Sequence, residues 1–164
     1  MSTLNATTVS AVTLKGLSIQ HYTGNTAIVI DSLGRVTLPS QPHSAVRGPE
    51  SSTTLTNGAN LNFNNAFTNT GNHFNTTNYR FTAPVTGVYL ITVSLYATGK
   101  TGRMSIKINN AAYQNMQTDL AGTYATSVIW KLNNGDYVTV GDWQSISGGT
   151  VYMGHSHFCC YLLG

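Results

Sequence analysis

The stretch Tyr79-Arg80-Phe81-Thr82-Ala83-Pro84-Val85-Thr86-Gly87-Val88-Tyr89-Leu90-Ile91-Thr92-Val93-Ser94-Leu95 decides how this chain folds. After Pro84 and Gly87, the side chains of Tyr89, Ile91, Val93 and Leu95 fall on every second residue. Successive side chains of a strand point to opposite faces of its sheet, so this period marks a long strand with one buried face. Pro84 has no N–H to give a ladder and therefore stands ahead of the strand.

The same pattern extends toward the C-terminus. Met104, Ile106 and Ile108 line one face of the next strand, which Asn109-Asn110 ends. Val128, Trp130 and Leu132 line another, followed by the turn Asn133-Asn134-Gly135-Asp136, and Val138 and Val140 resume the alternation. No segment carries the i, i+3, i+4 spacing of a helix, so the fold is all-β. The last strand, His157 to Leu163, is apolar on both faces, as in strands covered on both sides. In one small sandwich, the simplest second cover is a neighbouring subunit.

The 164 residues are 41% hydrophobic, enough for a core, but only 8% charged. Ordinary soluble domains carry roughly a quarter charged residues; here Asn, Thr, Ser and Gly take their place and favour strands and turns. The net charge of +3 comes from basic residues spread singly between Lys15 and Lys131, so no patch follows a phosphate backbone and no nucleic acid is expected as a partner. No apolar run approaches the ~20 residues of a spanning helix, so membrane insertion is not expected either. Met1 to Gly16 is rich in Thr and Ser and lacks an apolar signal core, which argues against Sec-type export. Cys159 and Cys160 are adjacent, so on a strand they face opposite ways and are expected as free, buried thiols.

Residues 1–43 read as a separate segment. Leu17 to His21, Ala27 to Asp31 and Arg35 to Leu38 are short strand-like pieces, with turns at Gly24-Asn25 and Ser32-Leu33-Gly34. Pro39, Pro42 and Pro49 then interrupt pairing. Such strands are too few to enclose a core alone and suit a docking or fibre-shaft segment wound against copies of itself. Residues 44–164 read as the head.

Within the head, Phe63, Asn69, Phe74, Phe81, Gly87 and Tyr89 stand at the spacings of the globular head of complement C1q, which this sequence resembles. The closing third agrees, with Leu132, then Gly135-Asp136-Tyr137-Val138, then Ser156-His157-Phe158 and Tyr161-Leu162-Leu163. The resemblance spans Phe63 to Leu163. It implies a ten-stranded jelly-roll β-sandwich that forms a homotrimer with its last strand near the threefold axis. Phe63, Asn69, Phe74, Phe81, Gly87, Tyr89, Phe158, Tyr161 and Leu163 are then the core- and trimer-forming positions. Gly87 is expected to allow a sharp turn before Tyr89. Ile91 and Val93 depart from the family's aromatics, Cys160 replaces its usual glycine, and no collagen repeat precedes the head. With only 5 acids in the chain, the family's calcium sites do not carry over.

The segment Ile30-Asp31-Ser32-Leu33-Gly34-Arg35-Val36-Thr37-Leu38-Pro39 resembles the leaders that precede head domains in bacteriophage fibre and other virion proteins.

Catalytic signatures are missing: there is no Gly-x-Ser-x-Gly elbow, no phosphate-cradling glycine loop and no acid pair with a neighbouring base. No enzyme activity and no cofactor are expected. His155, His157 and Cys159 alternate and would share a strand face, so His155 and His157 are weak candidates for a metal on a threefold axis, against a packed histidine pair as the plainer reading. Tyr113, Gln114, Trp143 and Gln144 are expected in loops at the barrel ends and are the candidate ligand contacts, with a host-surface glycan as the candidate ligand. The sequence thus points to a virion structural protein on a tail fibre or capsid surface, its N-terminal segment docked on other virion proteins. The alternatives are a capsid decoration protein of the same fold and a secreted C1q-like binding protein.

Overall fold

The computed structural model describes residues 18–20, 26–54, 56, 58–99, 102–118, 122–144 and 149–164, and of residues 18, 20, 102, 112–118 and 142–144 the backbone alone. The chain divides into two compact units, Met1–Ser40 and Gln41–Gly164.

In the first unit, β1 (Ser18–Gln20), β2 (Thr26–Ile30) and β3 (Val36–Thr37) form an antiparallel sheet in that order, where the sequence predicts three short strands. Asp31 closes the β2–β3 turn. Its Oδ1 accepts the N–H groups of Leu33 and Arg35 at 2.9 and 3.0 Å, and Gly34 takes the left-handed φ of +78°. The Arg35 N–H first, and its guanidinium next, hold the Asp31 carboxyl below the usual carboxylate range. Ile19, Leu33, Val36 and Leu38 stay between 42% and 75% exposed, so among the described residues this sheet encloses no core.

The second compact unit takes in Gln41 and Pro42 ahead of the strand His43–Arg47. Gln41 Nε2 donates to Leu162 O at 2.6 Å and Leu162 N–H donates to Pro42 O at 3.0 Å, which ties these residues to the C-terminal strand. The strands that follow are β4 (His43–Arg47), β5 (Ser52–Thr54), β6 (Asn65–Thr70), β7 (Phe74–Asn75), β8 (Arg80–Thr82), β9 (Gly87–Thr98), β10 (Gly102–Ile108), β11 (Ala111–Thr118), β12 (Gly122–Leu132), β13 (Tyr137–Gln144), β14 (Thr150–Tyr152) and β15 (His157–Leu162). Met153–His155 forms one 3-10 turn, and among the described residues no helix is long and apolar enough to cross a membrane.

The larger sheet has seven strands in the order β5-β14-β9-β15-β4-β6, with β12 on the other edge of β9; the smaller has five in the order β11-β10-β13-β8-β7. All pairings are antiparallel. β4 and β5 run as one kinked strand beside β14 and β15 as another. Counted so, the head is the ten-stranded jelly roll, five strands to a sheet.

The core lies between the sheets, where the alternation along 79–95 places it. Tyr89, Ile91, Val93 and Leu95 of β9 are buried, facing Met104 and Ile106 of β10 and Val138 and Val140 of β13. Phe63, Phe81, Tyr89 and Phe158 are fully buried and Phe74 nearly so. Phe158 sits at ring-centroid distances of 5.6 Å from Phe63 and 5.7 Å from Phe74, and Phe81 is edge-on to Tyr89 at 5.8 Å. The Tyr89 hydroxyl donates to Val85 O at 2.8 Å, which satisfies its polar end.

Three details differ from the sequence-based expectation. Gly87 makes no sharp turn: it opens β9, where a Cβ would fall 2.6 Å from Leu162 Cδ1 and 3.0 Å from Gly164 O. It is needed because the C-terminus packs against it, with Val88 N–H donating to Gly164 O at 2.6 Å and Leu163 N–H to Val88 O at 2.7 Å. Second, β10 is buried on both faces, including Ser105 and Lys107. The chain returns along β13 through Leu61 N–H to Val140 O (2.8 Å), and Lys107 Nζ donates to Gly58 O at 3.2 Å. Third, Trp130 shares the inward side with Val128 and Leu132 but remains 37% exposed, because β12 is an edge strand.

Asp136 locks the turns at one end of the smaller sheet. Its Oδ1 accepts from Asn109 Nδ2 at 2.8 Å, its Oδ2 from Asn133 N–H at 2.7 Å, and its carbonyl from Ala83 N–H at 2.8 Å. The Asn109 amide first, then the Asn133 N–H, hold this carboxyl below the usual range.

Gly87→Ala is expected to lower head stability by ~1–3 kcal/mol, the usual cost of overpacking, in denaturant titration. Asp136 has a lowered folded pKa, so its contribution is present above the unfolded value of ~3.9 and lost as pH falls through the folded value. Melting curves should therefore place Asp136→Ala below the parent at neutral pH, by ~1 kcal/mol or less at so exposed a site, with the gap narrowing below pH ~4.

Candidate functional site

The register of the larger sheet assembles the outer face of the head row by row. In antiparallel pairs, residues directly opposite each other share a face. The first row runs Ile129, Leu90, Tyr161, His43, Thr70; the second Ser127, Thr92, Cys159, Ala45, Thr68; the third Ala125, Ser94, His157, Arg47; the fourth Thr123, Tyr96. Val88 and Leu163 adjoin the first row. Ile129 is 63% exposed and Leu163 49%, and Tyr161 and Val88 are also exposed. Tyr161 and Leu163 are thus outward-facing, while Phe158, Cys160 and Leu162 point into the core. The twofold apolar character of the last strand is real, and within one chain only its inner face is covered.

The first row is held rigidly. His43 Nδ1–H donates to Gln41 O at 3.0 Å, which leaves Nε2 to accept from the Thr70 hydroxyl at 3.2 Å, and its ring lies 5.7 Å from Tyr161. Asn69 braces the β6–β7 turn, with Nδ2 donating to Phe74 O at 2.8 Å and Oδ1 accepting Phe74 N–H at 2.9 Å. Both cysteines are free, Cys159 half-buried on the outer face and Cys160 buried in the core. Burial, and then the neighbouring Cys159, push the Cys160 thiol well up.

His155 and His157 are not brought together. His155 belongs to the 3-10 turn and meets Tyr96 edge-on at 6.1 Å, whereas His157 stacks on Phe67 of β6 at 6.1 Å. Only His157 and Cys159 share the outer face of β15, because the turn ends the alternation one residue before the strand begins. Among the described residues no group of three or more His, Cys, Asp or Glu could hold a metal.

The four residues expected in loops lie in strands instead. Tyr113 and Gln114 are in β11 and Trp143 and Gln144 in β13; Gln114 pairs with Ile106, and Gln144 with Arg103. The hairpin turns earlier, at Asn109 and Asn110, whose φ of 50° and 66° suit a tight primed turn. Read as that turn, Asn109-Asn110 would have put Tyr113 in the ladder from sequence alone. The side chains of Tyr113, Gln114, Trp143 and Gln144 lie outside the described residues.

Sequence reasoning missed a cleft at the other end of the same sheet. Both kinked strands break there. Gly48 N–H donates to Met153 O at 3.1 Å, Met153 N–H to Ser51 O at 3.0 Å, and a Cβ on Gly48 would overlap buried Met153. The break turns Glu50, Ser51 and Ser52 out beside Tyr152, Gly154 and His155, and they line a cleft of about 230 Å³. A second, of about 380 Å³, lies between Tyr96, Thr123 and His155. Arg47 and Glu50 form an ion pair, and the guanidinium reaches Gly154 O at 3.4 Å. Tyr96 was legible as an anomaly, an aromatic in the polar phase of β9 after Thr92 and Ser94; Tyr152 and Glu50 join it only through contacts distant in sequence.

A family model of the C1q domain matches residues 44–163. No curated protein sequence matches the chain. Among solved structures, the globular domain of zebrafish complement 1qA is similar with a TM-score of 0.62 at 14% identity, over 76% of this chain and 98% of that one. Eiger TNF from S. frugiperda gives 0.63 at 13% identity, over 76% and 94%, and murine APRIL 0.55 at 12%, over 74% and 99%. At these identities the structures speak for the fold, but the family model covers most of the chain: this protein belongs to the C1q domain family, whose domain forms its head.

Proposed function

We propose that the chain is a non-catalytic, homotrimeric binding head, the tip of a short bacteriophage fibre that contacts the host surface. The observation that carries this reading is the uncovered outer face of the larger sheet, with Ile129, Val88, Tyr161 and Leu163 exposed together. Exposed apolar groups gathered on one face mark an interface, and burying them against copies of the same chain completes the second cover that β15 requires. The C1q resemblance implies the same stoichiometry.

The chain path supports presentation. Gln41 and Gly164 both lie at the end of the head where β9 begins, tied there by Leu162 and Val88. Tyr96 lies seven residues along β9 from Tyr89, about 23 Å away at ~3.3 Å per residue, so the two ends of the head present well-separated surfaces. The phage-like leader over 30–39 supports a virion setting. Few charges mean little long-range steering, so contact rests on hydroxyl, amide and aromatic groups with avidity from repeated heads.

Light scattering on the purified chain is expected to give three times the 17.6 kDa chain mass at micromolar concentration; a folded monomer there refutes the trimer. Ile129→Asp with Leu163→Asp should yield a folded monomer. In the trimer Cys159 should resist alkylation and in that monomer it should react, while Cys160 resists in both, because a buried thiol does not ionise. The purified trimer should bind host envelope and slow adsorption of the phage. Particles that lack the protein, adsorb normally and burst more readily on heating would identify a capsid decoration protein instead.

A further inference from the structure

The cleft at the Tyr96 end of the head holds an assembly of groups that neither the core nor the apolar rows of the outer face account for. Three rings meet there. Tyr96 and Tyr152 have centroids 5.1 Å apart with planes inclined by 39°, and His155 stands at 87° to Tyr96. Tyr96 and Tyr152 remain 36% and 38% exposed, so each keeps part of its surface open to a ligand. Beside them stands the Glu50 carboxylate, with the hydroxyl residues Ser51, Ser52 and Thr123 completing the walls.

The carboxylate is positioned rather than loose. Arg47 pairs with Glu50 Oε1 and is itself braced by Gly154 O and by the Phe67 ring, 5.5 Å from the guanidinium carbon. Gly154 leaves room for the other oxygen: a Cβ there would lie 2.5 Å from Glu50 Oε2 and 3.3 Å from Glu50 Cα. Oε2 lies beside Gly154 in the lining of the cleft, and the Glu50 side chain is 69% exposed, so this oxygen is open to a ligand.

From this arrangement we propose that the cleft binds a neutral saccharide, stacking one pyranose face on Tyr152 and Tyr96 and presenting adjacent hydroxyls to Glu50. The C–H face of a sugar ring is apolar and matches an aromatic face, while its hydroxyls need a fixed acceptor and nearby donors. Among the described residues of the lining Glu50 carries the one carboxylate, and the neighbouring Arg47 is already paired with it, so an acidic sugar meets repulsion from Glu50. The two lobes share His155 and together reach the range of small-ligand sites, ~300–1,000 Å³, room for a short oligosaccharide. Both are shallow, so a single site binds weakly, and three copies on one trimer raise avidity by ~10²–10⁴. This inference rests on reading the head as a ligand-binding module, but not on the virion setting.

Saturation-transfer NMR on the full-length protein tests it, with methyl α-mannoside, methyl α-glucoside, methyl β-galactoside and N-acetylglucosamine as neutral probes and 3′-sialyllactose as the acidic one. At ~10 mM sugar, millimolar affinity is visible. At least one neutral sugar is expected to show transfer to its ring protons, and Tyr152→Ala or Glu50→Gln should weaken binding ~10-fold or more with unchanged melting and mass, whereas Tyr152→Phe should keep it. Binding that survives both variants puts the site elsewhere, and transfer confined to sialyllactose refutes the charge argument; either outcome overturns the proposal. If no sugar binds but the trimer still adheres to host envelope, the saccharide inference fails and the adhesive head stands. If neither sugar nor envelope binds, both fail.

Discussion

Strand β15 is hydrogen-bonded along both edges, to β9 on one side and to β4 on the other, and the rest of the head depends on that double pairing. It joins the first strand of the head to a strand from its middle, so the sheet closes only once β15 is in place. The C-terminal residues are placed with the same strictness. Gly164 and Leu163 lie in the groove beside Gly87 and Val88, where a side chain at 87 would not fit. Because β15 alternates between core and outer face, the side chains that seal the interior, Phe158, Cys160 and Leu162, are interleaved with those that present the exterior, His157, Cys159 and Tyr161. Core packing and surface chemistry are thus set by one register, and a slip of one residue would exchange them.

The second constraint is the kink shared by β4/β5 and β14/β15. Two adjacent strands can bend together only if neither obstructs the other, and Gly48 against Met153 is where they touch. Ser156 stabilises the bend, its hydroxyl donating to Tyr152 O at 2.9 Å and accepting Tyr96 N–H at 3.2 Å. Straight strands would have continued the flat, uncharged face to its end. The bend instead turns Glu50 and His155 outward and opens the cleft beside Tyr96. The outer face therefore has an apolar half near Gln41 and Gly164 and an aromatic, polar half away from them, which separates the proposed assembly surface from the proposed recognition surface.

The N-terminal unit shows the opposite balance. Its turn is well specified, with Asp31 binding two backbone N–H groups and the Arg35 side chain, yet the apolar residues around it remain in solvent. Among the described residues local hydrogen bonds define its strands while burial contributes little, as expected of three short strands.

What the sequence determined by itself is what depends on neighbours along the chain. The period of two in Tyr89, Ile91, Val93 and Leu95 reports which side of a strand is apolar; turn residues such as Asn133 to Asp136 report where strands end; and the joint spacing of Phe63, Phe81, Gly87 and Tyr89 reports the family. The opposite orientation of Cys159 and Cys160 follows from strand geometry alone. Only the tertiary structure decided what depends on pairs far apart in sequence. Lys107, in the opposite phase to Met104, Ile106 and Ile108, is buried because the chain around Gly58 crosses it. His155 looked like a strand partner of His157 and is not, because Met153 must turn to pass Gly48. Arg47 and Glu50 meet Tyr96, Tyr152 and His155 only because β4 and β9 flank the last strand from opposite sides. Periodicity records which way a side chain points, but not what the fold brings to meet it, and a binding site is made of those meetings.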